Sequence, residues 1–337
     1  MPVRNDAFPP LQRRAALGAG LASLAGGLAA PRPARAQAWP SRPVTIVVGF
    51  PPGGQTDFAA RMVQNGMAAA LGQPVVIDNR GGAGGNVGTE MALRARPDGY
   101  TLLAANSSSM AINPHTFPRM TIDPLQLVSI GLILKSALIL CVHPSVPARD
   151  VPEFAAWVRA QRQGVNYGTP ASGSMSHCAM ELFRNRVGLP AMEHVPYRGS
   201  GPAMQDFIAG QFSAMFDGAS VVAPFLQANQ LRGLMVTSAE RIPAFPDIPT
   251  SAEQGVQDFT PTSWIGLSAP RGTPPEVIGR VNAALNTALQ DPQVRNRITE
   301  QGDEPGGGTA EEFDARVRGD HALWGEVART NNIRVEG

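Results

Sequence analysis

The sequence predicts an α/β fold of two domains, each built on a mainly parallel sheet, and three observations predict it. Strand-like and helix-like runs alternate from Val44 onward, the pattern that βαβ units leave in a sequence. About 300 residues remain once an N-terminal leader is set aside, a length that suits two domains of ordinary size. The stretch "VNYGTPASGSMSHCAMELF", 165–183, repeats the strand, small-residue turn and amphipathic helix that open the fold. Two such turns, about 120 residues apart, are then expected to face each other across a cleft.

The leader comprises residues 1–38 and has the three parts of an export signal. Arg13 and Arg14 form its charged start, "AALGAGLASLAGGLAA" is an apolar run short for a bilayer, and "ARA" or "AQA" offers small residues for cleavage. The expected mature start is Gln37 or Trp39, and the expected location is the periplasm. The arginine pair leaves twin-arginine export open beside the Sec route, although "LQRRAAL" matches that signal only loosely. Nothing later has the length and apolarity of a membrane span, so direct membrane insertion is not expected. Losing five arginines and one aspartate with the leader turns 28 basic and 27 acidic residues into 23 and 26. That balance argues against nucleic acid and against an anionic membrane as partner.

Each element has its own warrant. The run Val44, Thr45, Ile46, Val47, Val48 reads as a buried strand over 44–49. Ala59, Met62, Val63, Met67, Ala70 and Leu71 recur at helical spacing and predict a helix over 57–71. Further strands are expected at 74–78 and 100–105, with a helix over 86–96 between them. Two apolar runs, 128–134 and 137–142, read as separate strands. Asp150 and Glu153 have capping-box spacing and start a helix over 151–162. Strands at 165–168, 193–197, 212–217 and 231–237 alternate with helices at 176–187 and 202–209. A strand at 262–268 precedes helices at 274–289, 291–301 and 309–331. Pro274 and Pro275 suit a first turn, and Thr309 with Glu312 repeats the capping pattern. The crossings between domains are expected near 140 and 261, giving residues 39–140 with 262–337 as one domain and 141–261 as the other.

Cys141 lies in "ALILCVH" and Cys178 in "SHCAMELF". An exported chain can pair its cysteines, but both of these sit in apolar runs where a free thiol packs as a small hydrophobe. No H-E-x-x-H, G-x-S-x-G, G-x-x-x-x-G-K-[ST] or C-x-x-C occurs. The five histidines are too scattered for a metal-ligand pattern, so neither metal nor cofactor is expected. "GGAGGNVG", 81–88, departs from a dinucleotide fingerprint at Val87 and reads as a tight turn before a helix. His177 beside Ser174 and Ser176 has the residue types of a nucleophile and its base, which keeps an exported Ser/His hydrolase as a rival. Neighbours on a helix do not by that fact face one another, and a first-turn histidine that orders its loop is the plainer account.

The most informative stretch is "GFPPGGQTD", 49–57, placed between a strand and a helix. A glycine turn would need one glycine. Here two prolines stiffen the approach, Gly53 and Gly54 bare the backbone, and Thr56 and Asp57 supply helix-start oxygens. The first amides of a helix lack intrahelical partners and lie at the positive end of its dipole, so they suit a carboxylate or phosphate oxygen. With no Lys or Arg in the loop, a carboxylate fits better than a polyphosphate. Asp217 in "SAMFDGAS" ends a strand, where α/β sheets place ligand contacts. Its acid group makes sense beside an anion if the ligand also carries an amine or hydroxyl, if Asp217 holds a bridging water, or if it merely caps a helix.

Taken together, "WPSRPVTIVVGFPPGGQTD", "GQPVVIDNRGGAGGNVGTE", "RPDGYTLL", "NYGTPASGSMSH", "HVPYRGSGPAMQDFIAGQFSAMFD", "IPTSAEQG" and "APRGTPPEVIGRVNAAL" fall in the order seen in the Bug family. The chain resembles these extracytoplasmic solute receptors of tripartite tricarboxylate transporters from Trp39 almost to its C-terminus. The resemblance implies a periplasmic-binding-protein-like (Venus flytrap) fold with the ligand cleft between two domains. It also implies a small-molecule carboxylate as ligand, membrane transporter subunits as partners and no enzymatic activity. Carried onto this chain, it implies ligand contacts from Phe50, Gly54, Gln55, Thr56 and Asp57 in the first loop. Thr169, Ser172, Ser174, Ser176 and His177 would serve in the second, with Asn106, Ser107 and Asp217 lining the remainder. Three departures stand out: Gly49 where proline is common, Gln55 where a smaller residue is frequent, and Gln126 with Leu127 in place of an acidic–aromatic pair. A receptor that passes its ligand to a signalling partner is a third expectation to weigh.

Overall fold

A computed structural model describes residues 39–330 and 333–335; the predicted export signal lies outside the described residues. The chain opens with β1 (Val44–Val48), α1 (Gln55–Leu71), β2 (Val75–Asn79), α2 (Asn86–Leu93) and β3 (Thr101–Asn106). Strand β1 is the middle of a parallel trio, and all its residues except Thr45 are buried. A strand covered on both faces has to read as a continuous apolar run, as this one does. Helix α1 lays Ala59, Ala60, Val63 and Met67 against that sheet and ends at Gly72, whose φ of 70° supplies the left-handed turn.

A π turn at Ser108–Ile112 then leads into α3 (Asn113–Thr116) and the long β4 (Val128–Val142). After it come α4 (Val151–Ala160), β5 (Asn166–Thr169), α5 (Met175–Arg186), β6 (Glu193–Pro196), α6 (Ser200–Ile208), β7 (Ala214–Gly218), α7 (Ala219–Gln227) and β8 (Arg232–Val236). The chain closes with β9 (Thr262–Ala269), α8 (Pro275–Gln290), α9 (Pro292–Glu300), β10 (Glu304–Gly307) and α10 (Ala310–Thr330). Both expected capping boxes form. Glu153 N donates to Asp150 Oδ1 at 2.7 Å, and Glu312 N to Thr309 Oγ1 at 3.1 Å.

The main path of the sheet runs β2-β1-β3-β9-β4-β7-β5-β6, with β8 and β10 also pairing β4. The 15 residues of β4 serve both halves: it pairs β9 as far as Ala137↔Thr262, then β7 from Leu138↔Gly218. What reads in sequence as two strands, 128–134 and 137–142, is therefore one. Strands β1, β2 and β3 are mutually parallel, as are β5, β6 and β7, whereas β4 and β9 run antiparallel to their neighbours. Opposite directions follow from the path, because one strand carries the chain out of the first half and the other brings it back. Buried apolar side chains form three clusters, around Ile46 and Leu285, around Phe183 and Trp264, and around Phe207 and Val222. Cys141 and Cys178 are both free and fully buried, and burial pushes the Cys178 thiol up to about 12.

Candidate functional site

Three helix starts converge on one small cavity. The turn after β1 brings Phe50, Pro51, Gly54, Gln55 and Thr56; the turn after β5 brings Pro170, Ser174, Met175 and Ser176; the turn after β6 brings Ser200. Asn106 and Ser108 follow β3, Asp217 ends β7, and Leu138 and Ser263 come from β4 and β9. The enclosed volume is about 50 Å³, room for roughly three or four water-sized groups. Phe50, Pro51 and Pro170 also line an adjoining outer pocket of about 830 Å³, whose lining includes Asn79, Ser172, Tyr197 and Arg198.

The first loop is held from behind. Asp57 Oδ2 accepts from Gly53 N at 3.0 Å and Arg61 Nε at 2.9 Å, while Asn79 Nδ2 donates to Asp57 Oδ1 and to Phe50 O, each at 3.0 Å. Burial alone would raise the Asp57 carboxyl, but hydrogen bonds from Arg61, Gly53 and Asn79 outweigh it and hold the group below its ordinary value. Gly53 has φ 89°, which lets its amide turn back to Asp57. Behind the loop, Gly49 and Gly88 touch backbone to backbone: a Cβ on Gly88 would lie 2.6 Å from Gly49 Cα. That contact gives the glycine at 49 a packing role.

With Gly53 N committed, the amides of Gly54, Gln55, Thr56 and Asp57 have no partner among the described residues, and the first helical bond is Phe58 N to Gly54 O at 2.9 Å. These are the orphan donors of a helix start, and they form the positive end of its dipole. On the second turn, Ser174 caps α5 by accepting from His177 N at 3.3 Å, and Met175 N donates to Ser108 Oγ at 3.1 Å, tying the turn to the segment after β3. Asn106 Nδ2 donates to Thr56 Oγ1 at 3.4 Å, joining the first and third strand ends.

Among the described residues, Asp217 is the only charged one lining the cavity. It is 4% exposed; Oδ1 accepts Gly218 N at 2.8 Å, and Oδ2 has no partner meeting hydrogen-bond geometry. Burial pushes its carboxyl up to about 6, with the Gly218 amide and the nearby Ser200 hydroxyl pulling the other way.

Of the residues singled out in sequence, Phe50, Gly54, Gln55, Thr56, Asn106, Ser174, Ser176 and Asp217 line this cavity. Asp57 instead braces its own loop. Ser107 sits behind the wall, its Oγ 3.3 Å from that of Ser263, and Ser172 lies in the outer pocket. Thr169 Oγ1 is 2.7 Å from His194 Nε2 and donates to Ala171 O at 3.1 Å. His177 accepts Gly173 N at Nδ1 over 3.1 Å and stacks on His194 with ring centroids 4.0 Å apart. Burial lowers the ordinary value of both imidazoles, His194 to about 3. The Ser174 hydroxyl is thus committed to capping and the His177 ring to its loop, an arrangement unlike a nucleophile and its base. Pro51, Ser108, Leu138, Pro170, Met175, Ser200 and Ser263 were not singled out. Ser200 carries the same turn-before-helix signal as the first two loops, in "YRGSGPAM"; Leu138 and Ser263 carry none that precedes the fold.

Residues 59–333 match the sequence family described as tripartite tricarboxylate transporter family receptor. The chain is 34% identical over 312 residues to protein BugT of Bordetella pertussis, covering 92% of this chain and 95% of that one. Among solved structures it is similar to R. palustris Rpa4515 with adipate, at 34% identity and a TM-score of 0.85 over 88% of this chain and 99% of that one. It is likewise similar to MatC (Rpa3494) from Rhodopseudomonas palustris with bound malate, at 31% identity and a TM-score of 0.81 over 86% and 99%.

Proposed function

Because the chain belongs to the tripartite tricarboxylate transporter receptor family, a family of solute-binding receptors and not of enzymes, we propose that it captures a small organic carboxylate outside the cytoplasm and delivers it to membrane transporter subunits. The observation that carries this reading is the convergence of three helix starts, with unpartnered amides at Gly54, Gln55 and Thr56, on a cavity of about 50 Å³. Such amides recognise an anionic oxygen without a countercharge, as a receptor that must release its ligand requires. A carboxylate head group fills the inner cavity, and the rest of the ligand extends past Phe50, Pro51 and Pro170 into the outer pocket. Adipate and malate, the ligands named for two similar structures, are both small carboxylates.

The two jaws in this reading are residues 39–140 with 262–337, and 141–261. They hinge where β4 exchanges β9 for β7, and closure takes its free energy from contacts made only in the closed form. Met175 N to Ser108 Oγ joins residues of the two jaws and is the kind of contact that closure would make. Periplasmic location rests on the predicted leader, and no helix among the described residues is long and apolar enough to cross a membrane. A thermal-shift screen of residues 39–337 against mono-, di- and tricarboxylates tests the proposal. A ligand at 100 times its dissociation constant adds about 2.7 kcal/mol of stability. At least one acid should raise the melting temperature; no response from a protein shown by mass spectrometry to be ligand-free would overturn the reading.

A further inference from the structure

Two buried polar atoms of residues lining the inner cavity have no partner meeting hydrogen-bond geometry: Gln55 Nε2, a donor, and Asp217 Oδ2, an acceptor that has the Ser200 hydroxyl nearby. Each is costly to leave unsatisfied away from water. They are close neighbours, because the Gln55 amide is packed against Gly218, where an added Cβ would lie 2.2 Å from Nε2. Gln55 therefore reaches from the start of α1 to the residue beside Asp217. A bare carboxylate does not complete this arrangement. Its oxygens suit the amides of α1 and Gln55 Nε2, but they offer nothing to Asp217 Oδ2, and two carboxylates in so small a space repel.

Resting on the receptor reading, we infer that the preferred ligand carries a hydrogen-donating substituent, hydroxyl or ammonium, on the carbon next to its carboxylate, held by Asp217 and bordered by Gln55. A hydroxyl satisfies both orphans, donating to Asp217 Oδ2 and accepting from Gln55 Nε2. An ammonium satisfies Asp217 with the added attraction of opposite charge. Room for roughly three or four water-sized groups matches a carboxylate plus one such substituent. A water bridging Gln55 and Asp217 would satisfy the same atoms while giving no preference among acids, so affinity separates the two cases.

The test is calorimetric titration at pH 7.5 with matched trios: propanoate, lactate and alanine; succinate, malate and aspartate; glutarate, 2-hydroxyglutarate and glutamate. In the trio that binds, the hydroxy or amino acid should bind at least tenfold more tightly than its unsubstituted parent. That gap should fall below threefold in Asp217→Asn. Gln55→Leu, a second variant, should narrow the gap for the hydroxy acid while leaving most of it for the amino acid. Parents binding within threefold of their substituted partners in the unaltered protein overturn the inference and leave the receptor reading standing. A gap that persists in both variants overturns it as well. Failure of all nine acids would instead strike at the carboxylate reading beneath it.

Discussion

Asp57 Oδ2 accepts the amide hydrogen of Gly53 at 3.0 Å, so the first loop is folded back onto the helix it introduces. One amide of the loop is consumed to set the direction of those that follow. Arg61 and Asn79 complete the same carboxylate, which makes Asp57 a brace for the site.

Asp57→Ala should therefore lower both stability and ligand affinity although Asp57 does not line the cavity. Losing a buried, charge-assisted network costs roughly 1–3 kcal/mol. The Asp57 carboxyl lies below its ordinary value of 3.8, so its contribution is present above that pH and is lost as pH falls through the lowered value. Urea unfolding should show a clear gap between the two proteins at pH 7 and a narrower one near pH 2. A gap of equal size at both would contradict the ionised-brace account.

Gly88→Ala should be poorly tolerated. The added methyl would meet Gly49 Cα at 2.6 Å and Gly49 N at 3.1 Å, backbone atoms that cannot rotate away. Overpacking of this kind costs roughly 1–3 kcal/mol, and relief of the clash moves the first loop. Thermal denaturation and titration with any bound acid should both report the loss; an unchanged melting temperature would mean that the two segments separate easily.

These loops were largely legible in the sequence, because a strand followed by small residues and a helix announces itself locally. The β1–α1 and β5–α5 turns lie where the pattern puts them. Elements without a local signature were not legible. Glu304–Gly307 has no strand pattern yet pairs with β4, and Ala219–Gln227 forms α7 despite Pro224 inside it. Lys135 and Ser136 look like a break but continue β4, since their partners Trp264 and Ser263 are supplied by a strand more than 120 residues away. Leu138 and Ser263 join the cavity for the same reason. Their position depends on how two crossing strands meet, which periodicity does not encode.

Asp303→Asn should stabilise the protein at alkaline pH. Asp303 is 3% exposed, accepts Ser136 Oγ at 2.5 Å, and leaves Oδ2 without a partner. Burial raises its carboxyl to about 7, with the Ser136 hydrogen bond and the nearby polar groups of Ser220 opposing the rise and the nearby Asp217 adding to it. The folded state thus holds a proton that the unfolded chain releases near its ordinary value. The stability this supplies is fully present below 3.8 and is lost as pH rises through about 7. The amide variant escapes that loss. Urea midpoints should favour Asp303→Asn at pH 8 by roughly 1–3 kcal/mol and converge toward pH 4. A variant less stable at pH 8 would show that the charge is already well compensated.

Gly54→Pro removes one amide hydrogen at the start of α1. Gly54 has φ −90° and ψ 172°, extended backbone that proline reaches with a modest rotation about φ, and the nearest atom to an added Cβ is Ser200 Oγ at 3.9 Å. The fold should survive while carboxylate affinity falls at least tenfold, about 1.4 kcal/mol. Unchanged affinity by calorimetry would remove this amide from the binding set.

The most direct measurement is calorimetric titration of residues 39–337 with the best-binding acid and, in parallel, with the amide of the carboxylate that enters the cavity. The two differ by one charge and little in shape, and three converging helix starts discriminate on charge. The acid should bind at least 100-fold more tightly. Equal affinity for the uncharged amide would contradict the claim that backbone dipoles around Gly54, Ser174 and Ser200 capture a carboxylate.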